Sequence, residues 1–340
     1  MPAYDAFLLV SFGGPEGPDE VMPFLENVTR GRGIPRERLA GVAEHYYAVG
    51  GVSPINQQCR DLLTAIRADF GASGLSLPVY WGNRNWKPYL TDTVRTMAAD
   101  GVRQAAAFVT SAYSSYSSCR QYLDDIERAR AAVGPDAPRI DKIMPFYDHP
   151  GFTEPFAAST LAALAALPAG LRDEAHLVFT AHSIPVAMAE ASGPGPIRGR
   201  YVAELTEAAR IITERAGLDA HPRTLAYQSR SGPPAQPWLE PDVGDVMGEL
   251  ARAGTKAVVV IPVGFVSDHM EVRHDLDAEA ARSAESLGLA FARAATPGCH
   301  PAFVSMITEL VRERLARPEA GPDQTCPADC CRYAAGAPRA

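Results

Sequence analysis

One pattern recurs along this chain: a short run of apolar and β-branched residues, a turn of Gly, Pro or Ser, then a longer stretch with helical periodicity. Residues 6–12 (AFLLVSF) enter Gly13-Gly14-Pro15 and a helix expected over 19–27, with Asp19 placed to cap it. The pattern returns at 105–110 before SAYSSYSS, at 177–180 before AHSIP and at 257–262 before VGFVSDH. Strands that alternate with helices in this way make βαβ units, hence parallel sheets covered on both faces, and the class is α/β. The later pair of strand-turn units is loosely similar to the earlier pair, so two similar lobes with a cleft are expected.

At 340 residues the chain has room for two cores. The boundary is expected in MPFYDHPG (144–151), which gives lobes over 1–146 and 147–316, with the last helix able to pack back on the first lobe. Residues 317–340 are rich in Pro, Gly and Ala without periodicity and read as a Cys-rich tail. A formal charge of -8 has the wrong sign for coating phosphates, so nucleic acid is not an expected partner. No apolar run approaches the roughly 20 residues of a membrane span. The opening Met-Pro-Ala-Tyr-Asp has neither a basic stretch nor a cleavage site, so the protein is expected in the cytoplasm.

Ligands of open parallel sheets bind beyond the carboxyl ends of the strands, which singles out the polar residues just after each apolar run. FGGPEG (12–17) fails the dinucleotide pattern, and its prolines remove amide donors, so it reads as a tight turn with close backbone approach. His182 in LVFTAHSIP suits proton transfer or metal ligation, against the plainer alternative of a structural histidine. In SDHMEVRHDLDAE, Glu271, Asp275 and Glu279 fall at i, i+4 and i+8, one carboxylate stripe drifting about 40° per step on an α-helix. A solvated acidic face is the plainer reading, but like charges at this spacing repel, and oxygen ligands beside His274 suit a divalent cation such as Fe²⁺ or Mg²⁺. Cys326, Cys330 and Cys331 make a C-x3-C-C group one thiolate short of the four that an iron–sulfur cluster takes. Cys59, Cys119 or Cys299 could supply the fourth, and a zinc site or free thiols are the alternatives.

Together FTAHSIP, GFVSDHMEVRHDLDAEA, GGVSPIN and YWGNRNW closely resemble the ferrochelatases, which insert ferrous iron into a porphyrin. The match runs from LLVSFGGPEGP to the last helix near residue 316, and the tail is most similar to the actinobacterial branch, the coproporphyrin ferrochelatases, many with a [2Fe-2S] cluster. The resemblance implies two Rossmann-like lobes with four-stranded parallel sheets (the chelatase fold), the porphyrin gripped between them. It implies that His182 and Glu271 are catalytic and meet the Fe²⁺ substrate, and that Asp275 and Glu279 form an outer metal path. It further implies that Ser53, Tyr122 and Arg30 contact porphyrin propionates, and that Cys119 joins Cys326, Cys330 and Cys331 around the cluster. Phe12 departs from the pattern: many bacterial relatives have a tyrosine there that can ligate iron, and a phenyl ring offers no ligand atom. The expected product is iron coproporphyrin III, made by a monomer. The rivals are a chelatase for another metal or tetrapyrrole, such as one inserting Co²⁺ or Ni²⁺, a non-catalytic porphyrin or metal carrier, and, poorest, a nucleotide-dependent oxidoreductase.

Overall fold

A computed structural model describes residues 4–31, 33–195, 197–232, 235–316 and 326–333. Among them, β1 (Ala6–Ser11), β2 (Val79–Asn83), β3 (Gln104–Val109) and β4 (Arg139–Lys142) form one sheet in the order β2-β1-β3-β4. A second sheet takes β5 (His176–His182), β6 (Arg223–Gln228), β7 (Ala257–Ile261) and β8 (Ala290–Arg293) in the order β6-β5-β7-β8. Every pairing is parallel. In both sheets the first strand of the chain is internal and its two neighbours follow it in sequence, so the order reverses beside it. The carboxyl end of β5 therefore lies at a switch point, where such sheets bind ligands.

The alternation of apolar residues explains the layers. Leu8 and Val10 of β1 and Ala105, Ala107 and Val109 of β3 face Leu90, Val94 and Met97 of helix Leu90–Ala99 and Ile126 of helix Gln121–Val133. Phe7 points to the other face and meets Phe70 of helix Ile55–Ala72, ring centres 5.4 Å apart and edge to face. In the second sheet Val178, Ala226, Val258 and Val260 pack on Val246 and Met247 of helix Val243–Arg252 and on Leu276, Ala280 and Ala284. Each fully buried aliphatic side chain of this kind contributes about 1.5–3 kcal/mol of transfer free energy. β1 and β7 bury every residue, as strands covered on both faces must.

The chain divides into two compact units. The first comprises the described parts of Met1–Thr110, Tyr116–Met144 and Ile307–Ala340; the second comprises Ser111–Ser115 and the described parts of Pro145–Met306. Helix Pro301–Ala316 starts in the second unit, with Phe303 against Phe146 and Phe152. It ends in the first, where Thr308 bonds Asp69, Arg312 the Ser73 carbonyl and Arg314 the Lys142 carbonyl. No described helix is long and apolar enough to cross a membrane.

Two local expectations change. The first helix runs Pro18–Val28, capped by Gly17 with Pro18 in its first turn, so Asp19 lies inside that turn and favours the helix through its charge instead of capping it. The alanine-rich stretch of the sequence suggests a helix over 153–167, but the helix begins at Pro150, because His149 Nδ1 accepts from the Gly151 amide at 3.0 Å and caps it. The expected tight turn at Gly13-Gly14 is present. Gly13 has φ +81°, and a Cβ on Gly14 would lie 2.6 Å from the Ser53 Cβ.

Candidate active site and thiol centre

His182 is the last residue of β5, level with Gln228 at the end of β6. Its backbone carbonyl accepts from the buried Tyr201 hydroxyl at 2.9 Å, and its ring Nδ1 bonds the Ser183 carbonyl. A carbonyl only accepts, so Nδ1 carries a hydrogen and Nε2 is left to face Glu271. Glu271 arrives from β7. Gly264 passes so close over β5 that a Cβ there would lie 2.6 Å from that of Ala181, and its amide bonds the Thr180 carbonyl at 3.0 Å. This crossing delivers the short helical turn Met270–Val272, with Glu271 Oε1 3.7 Å from His182 Nε2. Glu271 Oε2 lies 3.8 Å from His269 Nε2, which puts one carboxylate between two imidazoles. Both separations exceed a direct hydrogen bond and suit charge pairing.

The electrostatics follow from the arrangement. Burial resists charging Glu271, but His182 and His269 outweigh it and bring its carboxyl down to about 2. Burial also resists an imidazolium at His182, yet Glu271, the Ser183 carbonyl and Asp275 raise its pKa above the ordinary 6.5. For His269 burial prevails, helped by His182, and its pKa falls. Neighbouring imidazoles thus diverge, one inclined to hold a proton and the other to stay neutral.

The carboxylate stripe differs from the expected α-helix. Residues Arg273–Ala280 form a π-helical stretch, whose i→i+5 bonding brings i and i+5 side chains together. His274 Nε2 consequently reaches Glu279 Oε1 at 3.4 Å, and one ligand atom each from His274, Asp275 and Glu279 falls within 4.8 Å of the others. Asp275 also accepts from the hydroxyl of Ser229, a non-glycine residue at φ +62° just after β6, and from Gln228 Nε2 at 3.4 Å. Burial, with the charges of Glu271 and Glu279, raises the Asp275 carboxyl to about 6. His269, Ser229 and Gln228 escaped the sequence reading. His269 sat inside a quoted motif, but nothing in its spacing distinguished it without the turn that aims it at Glu271.

Ser53, Tyr122 and Arg30 all belong to the first unit and lie on separate elements. Ser53 is buried beside Gly14, with its amide bonded to the Pro15 carbonyl at 2.8 Å. Arg30 is exposed just beyond helix Pro18–Val28. Tyr122 is only 5% exposed, its ring within the apolar core and the Arg84 guanidinium 4.6 Å above it. Arg84 is itself held by Asp125 at 2.6 Å. Among the described residues, no hydrogen bond or ion pair joins Ser53, Tyr122 and Arg30 to one another.

The first unit also gathers thiols. Cys119 lies in a π-helical turn, Tyr116–Arg120, and its Sγ is 3.7 Å from that of Cys326. Cys330 and Cys331 have their sulfurs 3.6 Å apart, with Cys331 at φ +55°. Cys326 accepts from Cys119 and Cys330, which pulls its own thiol well down. The expected tail is docked where it is described. Arg120 donates to the Ala328 carbonyl at 3.0 Å and Tyr116 meets Tyr333 with ring centres 6.3 Å apart. Residues 317–325 and 334–340 of that tail lie outside the described residues. Cys59 is buried in helix Ile55–Ala72 and Cys299 is exposed. None of the six cysteines is in a disulfide, so Cys119, Cys326, Cys330 and Cys331 keep the thiols that a donor set of the iron–sulfur kind needs.

The ferrochelatase family model matches residues 4–315. A coproporphyrin III ferrochelatase of Streptomyces coelicolor is 52% identical, over 99% of this chain and 96% of that protein. Those of Mycolicibacterium smegmatis and Frankia alni are 55% and 56% identical, over 92% and 97% of this chain and 90% and 87% of theirs. The sirohydrochlorin chelatase SirB of Bacillus subtilis, solved with cobalt, has a TM-score of 0.54 at 14% identity over 92% of this chain and 96% of its own, which shows a shared chelatase fold. This chain belongs to the ferrochelatase family.

Proposed function

We propose that the protein inserts Fe²⁺ into coproporphyrin III in heme biosynthesis, giving iron coproporphyrin III and two protons. The observation that carries the reading is the His182–Glu271 pair at 3.7 Å, at the end of β5 in a chain more than half identical to enzymes of that name. Insertion removes both pyrrole N–H protons and strips water from the ferrous substrate. His182, as neutral imidazole, accepts a pyrrole proton at Nε2, and the ionised Glu271 stabilises the imidazolium so formed. Once that pair is charged, Glu271 is the nearest base for the second proton, with His269 behind it. His182 and Glu271 also offer ligand atoms as Fe²⁺ loses its water, while His274, Asp275 and Glu279 hold a cation farther out. The propionates are assigned to Ser53, Tyr122 and Arg30, with the guanidinium as the strongest of these partners.

Cys119, Cys326, Cys330 and Cys331 are taken as ligands of a [2Fe-2S] cluster. Their convergence without a disulfide, three of them buried, supports this. When bound, the cluster supplies a one-electron redox centre. Every candidate ligand comes from one chain, in keeping with a monomer, and four propionates keep the porphyrin in water, in keeping with a reaction in the cytoplasm. Lobes over 1–146 and 147–316 remain our functional division.

The test is anaerobic Fe²⁺ insertion followed by absorbance, with coproporphyrin III and protoporphyrin IX offered separately. Metallation of coproporphyrin, reduced at least 100-fold in His182→Ala and Glu271→Ala with porphyrin still bound, is expected. Porphyrin binding without metallation by the native protein would sink the reading.

A further inference from the structure

The Glu271 carboxylate stands 3.7 Å and 3.8 Å from its two imidazoles, beyond direct hydrogen-bond length, so its aim depends on the backbone that carries it. One side chain ties that backbone on both flanks. Arg293 ends β8, level with Val260 of β7, and its side chain is only 15% exposed. Its Nη1 and Nη2 donate to the two oxygens of Asp268 at 3.2 Å and 3.0 Å. Its Nε and Nη2 donate to the two oxygens of Asp277, the latter at 3.2 Å. The other Nη1 hydrogen goes to the Ala294 carbonyl at 3.2 Å, so all five N–H groups of the guanidinium are engaged. Asp268 precedes Glu271, and Asp277 follows it within the π-helical stretch.

Two forks on one planar cation fix direction as well as distance, which a point charge cannot do. An isolated exposed ion pair would contribute little, but this cation is shielded and its bonds form a network. The same segment is tied again to the residues after β8, since Thr296 Oγ1 donates to Asp268 at 3.0 Å and the Gly298 amide to the Val266 carbonyl at 2.9 Å. With Ser229 and Gln228 on Asp275, the π-helical stretch is gripped from the ends of β6 and β8 together. Such a stretch is rare, and relaxing it to the commoner i→i+4 register would turn its side chains to new directions. We propose that Arg293 is a positioning residue of the insertion reaction: by tying Asp268 and Asp277 to β8, it holds the Glu271 carboxylate toward His182. This rests on the roles given above to His182 and Glu271.

The experiment is steady-state Fe²⁺ insertion into coproporphyrin III by the full-length protein and its variants, with porphyrin affinity from fluorescence quenching and stability from urea unfolding. Arg293→Lys keeps the charge and loses the forks; Asp277→Asn weakens one arm at a side chain that is 40% exposed. Val246→Ala opens a cavity in the core of the same unit and is the control for lost stability alone. Arg293→Lys should lower kcat at least tenfold and Asp277→Asn at least threefold, with porphyrin affinity within twofold of native. The double variant should stay within twofold of Arg293→Lys, because both changes break one tie. Val246→Ala should lose stability and keep its kcat. A native kcat in Arg293→Lys or Asp277→Asn overturns the proposal, as does a loss that Val246→Ala matches at equal stability or that the double variant multiplies. If Arg293→Lys does not fold, Asp277→Asn decides by the same criterion. No metallation by the native protein, or native insertion by Glu271→Ala, overturns the reading of the site instead, so the two failures stay distinct.

Discussion

At the scale of single residues, the chemistry turns on how one carboxylate divides two histidines. Glu271 is near enough to both His182 and His269 to raise the first, yet burial keeps the second low. In the proposed reaction a neutral His182 accepts a pyrrole proton, and its pKa is raised above 6.5, so insertion should fall as pH drops through that raised value. Removing the Glu271 charge leaves burial as the largest influence on His182. In Glu271→Gln, the His182 imidazole should therefore titrate at lower pH than in the native protein, checked by NMR of ring-labelled histidine. A midpoint that stays put or rises would mean that Glu271 is not the group that polarises His182. Phe12 shows the opposite situation, a residue whose chemistry is plain from its type: a phenyl ring packed against Phe24, with no donor for iron.

At the scale of elements, the strands were legible because AFLLVS and AVVVI are strand-length apolar runs with β-branched residues and turn residues after them. His182 was legible for the same reason, as a titratable group at the end of such a run. The π-helical stretch was not. Eight residues with charges every four positions look α-helical, and only the close pairing of His274 with Glu279 reveals the wider turn. Gly264 links strand to site. Its missing side chain lets the segment after β7 cross β5 and aim Glu271, so Gly264→Ala must push that segment off Ala181. Overpacking of this kind costs about 1–3 kcal/mol. The expected outcome is a matching loss in urea unfolding, with a fall in insertion rate greater than that loss explains. Normal insertion at reduced stability would show that the crossing is not what sets the His182–Glu271 distance.

At the scale of the whole molecule, the two chemistries lie in different units. The imidazole–carboxylate pair and the π-helical stretch belong to the second; the four thiols belong to the first. The spacing C-x3-C-C marked the thiols as a site, but the docking of residues 326–333 could not be read, because the Arg120 to Ala328 contact is 208 residues apart in sequence and involves a backbone carbonyl. That docking has a consequence for stability. Without the proposed cluster the segment relies on protein contacts such as those of Arg120 and Tyr116 to hold eight residues against a backbone entropy of about 1–2 kcal/mol each. Cys326→Ser should therefore release it. Amide exchange should quicken across 326–333 and across the 116–133 segment that Cys119 and Arg120 occupy, while β5 and β7 keep native protection. Uniformly faster exchange in both units would show that the thiol centre stabilises the fold as a whole. If exchange is unchanged throughout, the tail is held by its protein contacts alone, and the metal adds chemistry without adding structure.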